Sequence, residues 1–178
     1  MTDKSIKNIY TREEALKILE EYGTPKHVIG HCKAVADVAV RVAERLNTLG
    51  FDLDVGLCEA AGLLHDMARL EPDHQLVAAK WLRDHGHDAE ADIIEVHMQY
   101  PQFSEASETN ETDLVCLGDR VCIEDKYVGP EKRFAYIFDK NKHLPHRTEI
   151  IAGKREQMMR YISDLEDIMG ISLDELMS

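Results

Sequence analysis

Between residues 26 and 46 apolar side chains recur every three or four positions. Val28, Val35, Val38, Val42 and Leu46 fall on one stripe, and His31 falls on the same stripe. That period places the apolar positions on one face of an α-helix; a strand would alternate every second residue. The pattern continues through the chain. Thr11 with Glu14 forms a capping box that opens a helix running to about Tyr22, where Gly23 stops it. Thr24-Pro25 reads as an N-cap followed by proline at the first helical position, opening the striped helix that ends near Gly50. Further helices are expected from about Asp54 to Ala68, from after Glu71-Pro72-Asp73 to about His85, and from Asp88 to Met98. Others run from Asn110 with Asp113 to about Tyr127, from about Glu131 to Asp139 after a Gly129-Pro130 turn, and from about Thr148 to Met169. Residues 99–110 and "NKHLPHR" read as loops, and Ser172 with Glu175 caps a terminal turn. Hydrophobic residues make up 44% of the chain, enough for a core. The expectation is one all-α domain over residues 1–178, a bundle of about seven or eight helices, with residues 131–178 packing on a core at about 24–128.

The chain carries 21 basic and 34 acidic residues, a net charge of −13. A surface this acidic repels nucleic acid and anionic membranes, so neither is an expected partner. It also repels phosphate-bearing metabolites at long range, so such a ligand needs a local positive centre. The start of the chain has no apolar signal-peptide core, and no apolar run approaches the roughly 18–20 residues of a membrane span. Cys32, Cys58, Cys116 and Cys122 form no CxxC and all lie in helical patterns. Reduced thiols in a cytoplasmic protein are therefore expected.

The informative positions are polar residues where the pattern wants a hydrophobe. His31 interrupts the Val28/Val35/Val38 stripe. His65 and Asp66 sit at the end of "GLLHDMA", His74 one turn before Val77 and Ala78, His97 after Ile93 and Ile94, and Asp119 in "CLGDRVC". A single histidine on an apolar face is ordinarily a core residue hydrogen-bonded to a carbonyl, and a single aspartate is ordinarily half of an ion pair. Together, four imidazoles and two carboxylates share one interior with no obvious buried Lys or Arg to neutralise the acids. Neutral imidazole and carboxylate are ligands for Fe, Mn, Co, Ni or Zn, with Mg a further possibility, and one or two such ions would supply the missing positive charge.

The order His31, His65-Asp66, Asp119 resembles the H…HD…D signature of the HD superfamily of metal-dependent phosphohydrolases. His74 and His97 are similar to the extra ligands of its six-ligand branch, and "DHQLVAAKWLRDHG", "IIEVHM" and "LGDRV" are similar to segments of the bacterial members that hydrolyse diadenosine tetraphosphate. One departure is visible: where the family often reads HDIGK, this chain reads His65-Asp66-Met67-Ala68-Arg69. The resemblance implies a first metal held by His31, His65, Asp66 and Asp119, and a second held by His74 and His97 with Asp66 as the bridge. It implies hydrolysis of a phosphoester or phosphoanhydride in a small nucleotide or other phosphorylated metabolite by a metal-bound hydroxide, with Asp66 and His65 as catalytic residues.

Arg69, Lys126 and Arg133 are candidate phosphate ligands, against the alternative of a solvated mixed-charge face. Tyr100, Phe103 and Tyr127 are candidates to line a pocket. His27, His85, His87, His143 and His146 read as surface residues. The same ligand set also serves di-iron oxygenases on this scaffold, and a non-catalytic ligand-binding protein is a third reading. A homodimer is compatible with all three.

Overall fold

Helix α2 (Lys26–Asn47) is the axis of the fold, because it is buried on opposite faces. In the computed structural model, which describes residues 8–98 and 102–178, α1 (Arg12–Tyr22), α3 (Val55–Leu64), α4 (His74–Asp84) and α5 (Asp88–Val96) gather against one side. There Val28, Cys32 and Ala36 meet Ala15, Leu19, Leu63, Leu64, Ala78, Leu82 and Ile94. On the other side Val35, Val38, Val42 and Leu46 meet α6 (Glu111–Asp119), α8 (Pro145–Met169) and α9 (Leu173–Met177). A single 3-10 turn, Ala106–Glu108, and α7 (Pro130–Asn141) complete the helices, nine of them α-helical among the described residues. The architecture is all-α, as the periodicity implies.

Two glycines set how closely the helices approach α2. A Cβ on Gly62 of α3 would lie 2.8 Å from the Ala36 Cα, and one on Gly118 of α6 would lie 2.7 Å from the Val35 carbonyl oxygen. Both distances are well inside van der Waals contact. Only glycine lets α3 and α6 lie this close to α2, and both contacts fall within about a turn of His31. That close packing brings the chain ends of α3 and α6 to the same place.

The expected capping boxes at Thr11/Glu14, Asn110/Asp113 and Ser172/Glu175 are all formed. Other expectations are corrected. Thr24 does not cap α2: its buried hydroxyl donates to the Met67 carbonyl at 2.8 Å, and Pro25 stands at the N-cap position. Helix α3 ends at Leu64 and residues 65–70 are turns. The helix expected to reach Tyr127 stops at Asp119. An antiparallel hairpin follows, with β1 (Cys122–Ile123) and β2 (Lys126–Tyr127) pairing Cys122 with Tyr127 and Ile123 with Lys126. Its turn holds Glu124 at φ 52°, without the Asn-Gly or Asp-Gly that would announce such a turn. Helix α8 begins at Pro145, one turn earlier than expected, using proline at its first position.

His87 is buried rather than exposed. It stacks on Tyr10 at 3.4 Å and bonds the buried Glu90 through Nδ1 at 3.1 Å, so the N-terminal segment covers it. Tyr100 lies outside the described residues. All four cysteines are buried and free.

Candidate metal centre

Three helices end at one point. His65 is the C-cap of α3, His97 is the C-cap of α5, and Asp119 is the last residue of α6. His74 opens α4, and His31 comes from the second turn of α2. Helix C-termini carry partial negative charge, so three of them meeting favour a cation there.

They also leave carbonyls without intrahelical partners, and the histidines use them. The His65 Nδ1–H donates to the Gly62 carbonyl at 2.8 Å and the His97 Nδ1–H to the Ile94 carbonyl at 2.6 Å. The His31 Nδ1–H donates to the Glu124 carbonyl at 3.1 Å. A carbonyl only accepts, so each of these bonds puts the ring proton on Nδ1. In the neutral imidazole the lone pair is then on Nε2.

All three Nε2 atoms face carboxylates, which also only accept. His31 Nε2 is 3.1 Å from Asp119 Oδ1. His65 Nε2 is 3.7 Å from Asp66 Oδ2 and 3.9 Å from Asp119 Oδ1. His97 Nε2 is 3.7 Å from Asp66 Oδ1, and His74 Nε2 is 3.0 Å from the same oxygen. Acceptors that converge in this way need a shared cation. His65 Nε2, His97 Nε2 and Asp66 Oδ1 are moreover fully buried without a hydrogen-bond partner, an arrangement that costs about 1–3 kcal/mol per group unless something fills it. The donor set therefore fits a divalent metal.

Ligand atoms of His31, His65 and Asp119 lie within 4.8 Å of one another, as do those of His65, Asp66 and His97. Asp66 turns one oxygen toward His65 and the other toward His74 and His97.

The electrostatics agree. Burial alone would push Asp66 up, but the surrounding His65, His74 and His97 rings and the Arg69 guanidinium hold it far below the usual carboxylate range. Asp119 is likewise held down against burial by His31 and His65. Burial pushes the fully enclosed His65 imidazole down, keeping it neutral as a ligand must be. Burial pulls His31 down, but the neighbouring Asp119 and Asp66 carboxylates and the Glu124 carbonyl together outweigh it, so its net shift is upward.

Two non-glycine residues among those described have left-handed backbone, and both serve this site. Asp73 (φ 52°) sets the direction in which α4 starts at His74, and Glu124 supplies the carbonyl that holds His31. Strain of this kind persists where the surrounding structure imposes it.

Residues 28–124 match the HD domain family, more than half of the chain. The chain belongs to that family. Its His65-Asp66 is the pair at the centre of the site. It is 25% identical over 97% of its length to a tRNA (cytidine(56)-2'-O)-methyltransferase of Thermoplasma volcanium, covering 52% of that protein. It is 35% identical over 46% of its length to an uncharacterized protein of Methanocaldococcus jannaschii, covering 50% of it. The chain thus spans about half the length of the curated relatives it matches. No solved structure matches it. HD domain membership and the His/Asp clusters support a divalent-metal site and a hydrolase-type function.

A cavity of about 710 Å³ opens from the HD centre toward α7 and α8. Of the expected phosphate ligands, Arg69 and Arg133 line it. The Arg69 guanidinium lies 3.6 Å from Asp66 Oδ1 and donates to His74 Nε2 at 3.4 Å. Lys126 does not reach the cavity: the hairpin that replaces the expected helix turns it to solvent on β2. His27 lies at the cavity wall. Phe103 stacks on Tyr161 at 4.4 Å and Tyr127 bonds Asp174 at 2.6 Å, so neither lines the cavity. Arg120, a basic residue just after Asp119 that the sequence also offers for a phosphate clamp, lines it too, and sequence reasoning missed Lys140, Arg147 and Lys154, which do as well. Their seven-residue spacing on α7 and α8 is the signal that could have found the last three. No helix among the described residues is long and apolar enough to cross a membrane.

Proposed function

We propose that the chain is a metal-dependent phosphohydrolase of the six-ligand kind, cleaving a phosphoester or phosphoanhydride in a small nucleotide or other phosphorylated metabolite. The observation that carries this reading is the pairing of a buried, acceptor-only cradle with a cation-lined cavity. His31, His65, Asp66 and Asp119 would hold one ion, and Asp66, His74 and His97 a second. Ions bound there supply an activated water and neutralise charge on the phosphoryl group.

The chain's own groups do the rest. The Gly62, Ile94 and Glu124 carbonyls keep three ring protons on Nδ1 and so keep the ligand faces deprotonated. Arg69 and Arg133 orient phosphoryl oxygens from the wall. The turn at residues 65–70, pinned by Thr24, closes the floor against water. A net charge of −13 weighs against RNA as the substrate.

The test is a screen of phosphorylated metabolites on metal-loaded protein, with and without oxygen. Phosphate release without oxygen, lost in Asp66→Ala, is the expected result. Turnover that consumes oxygen in proportion to product would overturn hydrolysis in favour of an oxygenase.

A further inference from the structure

Six of the chain's 21 lysines and arginines line the cavity, against three of its 34 acids, two of which are Asp66 and Asp119. This is a local reversal of sign in a strongly acidic protein, and four of the six cations come from α7 and α8. Those helices lie beyond residues 28–124, the segment that matches the HD domain family.

The four are placed in two levels. Arg133 and Lys140 are seven residues apart on α7, and Arg147 and Lys154 are seven apart on α8. Seven residues are two helical turns, about 10.5 Å of rise on one face. The Glu131–Arg155 ion pair fixes the antiparallel register of the two helices. In that register Arg133 falls opposite Lys154, and Lys140 falls opposite Arg147. Tyr136 sits between the levels on α7, with the Lys140 ammonium 4.2 Å and the Arg133 guanidinium 5.8 Å from its ring.

Most other cations of this hairpin are paired: Lys142, just after α7, with Asp139, Arg155 with Glu131 and Arg160 with Glu156, while Lys132 forms no ion pair among the described residues. Arg133, Lys140, Arg147 and Lys154 form no ion pair among the described residues, and the Arg133 Nε is buried without a partner. Unpaired like charges held on one wall repel one another, so the arrangement is stabilised by an anion between them.

We propose that the α7–α8 hairpin carries an anion site of its own, opposite the metal centre, that selects small ligands bearing a chain of phosphoryl groups over those bearing one. An extended polyphosphate can reach the inner and outer pairs at once, whereas a single phosphate engages one level. The proposal rests on the phosphohydrolase reading for its use in catalysis, but the anion site does not need the metals in order to bind.

The experiment is calorimetric titration of the full chain, stripped of metal by chelation, with inorganic tripolyphosphate and with orthophosphate. Tripolyphosphate is expected to bind at least tenfold more tightly than orthophosphate. Lys140→Ala/Arg147→Ala is expected to weaken tripolyphosphate at least tenfold, while Lys126→Ala, outside the cavity, leaves it unchanged. Both residues of the double variant are exposed, and circular dichroism checks that its helices persist. Equal binding of the two anions, no binding of tripolyphosphate, or a double variant that binds it like the wild type overturns the proposal. Failure of every phosphorylated compound to be hydrolysed would overturn the catalytic reading and leave this binding result intact.

Discussion

Gly62→Ala tests whether the metal centre depends on the close approach of α3 to α2. The added Cβ would stand 2.8 Å from the Ala36 Cα, 3.1 Å from its Cβ and 3.1 Å from its nitrogen. Carbon atoms pack at about 3.5–4.0 Å, so α3 must back away by about 1 Å, because α2 is buried on both faces and cannot yield. Overpacking of this kind costs about 1–3 kcal/mol, offset by up to about 1 kcal/mol from replacing glycine inside a helix. The net loss should be about 1–2 kcal/mol, or about 2–8 °C in melting temperature at this size.

The functional effect should be larger than the stability effect. Gly62 is also the carbonyl that holds the His65 ring, and metal–ligand distances tolerate only about 0.2 Å. Metal affinity is expected to fall about 10–100-fold, read by competition with a fluorescent chelator alongside thermal melts of the metal-free protein. Gly153→Ala is the control, since nothing lies within 4 Å of its Cβ and the substitution should stabilise slightly. Unchanged melting and unchanged metal affinity in Gly62→Ala would refute the reasoning.

Other expectations follow from the same geometry. Asp66→Ala should abolish metal loading, measured by elemental analysis, because it removes the carboxylate shared by His65, His74 and His97. His74→Ala should reduce metal content from two equivalents toward one, and two full equivalents in this variant would reject its role as a ligand. Burial pushes the Cys116 thiol up to about 11 and Cys122 up to about 12, against about 8.5 when unfolded. Their contribution to stability is therefore complete below about pH 8.5 and is lost as pH rises toward those values, at up to about 1.4 kcal/mol per thiol per pH unit. Urea unfolding should show lower stability at pH 9.5 than at pH 7.5, and the native thiols should react slowly with a disulfide reagent. Equal stability at both pH values would contradict it.

The helices and their caps are legible in the sequence because periodicity and capping boxes are local signals. Thr11/Glu14, Asn110/Asp113 and Ser172/Glu175 needed nothing beyond their own neighbours. The six polar residues on apolar stripes are legible for the same reason: each breaks a pattern of its own helix. What could not be read depends on distant partners. The Cys122–Tyr127 hairpin has no strong turn dipeptide, and it forms where its Glu124 carbonyl meets His31, 93 residues away. His87 reads as a turn residue until Tyr10 is seen stacked on it from 77 positions upstream. The carbonyl bonds of His65 and His97 show that the ordinary fate of a core histidine and the role of a metal ligand are not exclusive. One ring nitrogen serves each.

The most direct measurement is an anomalous-scattering map of crystals grown from protein purified without chelator and supplied with manganese. Two adjacent peaks are expected, one beside His31 and Asp119 and one beside His74 and His97, both in contact with Asp66. A map with no peak there, or with His31, Asp66 and Asp119 bonded only to protein groups, would contradict the account.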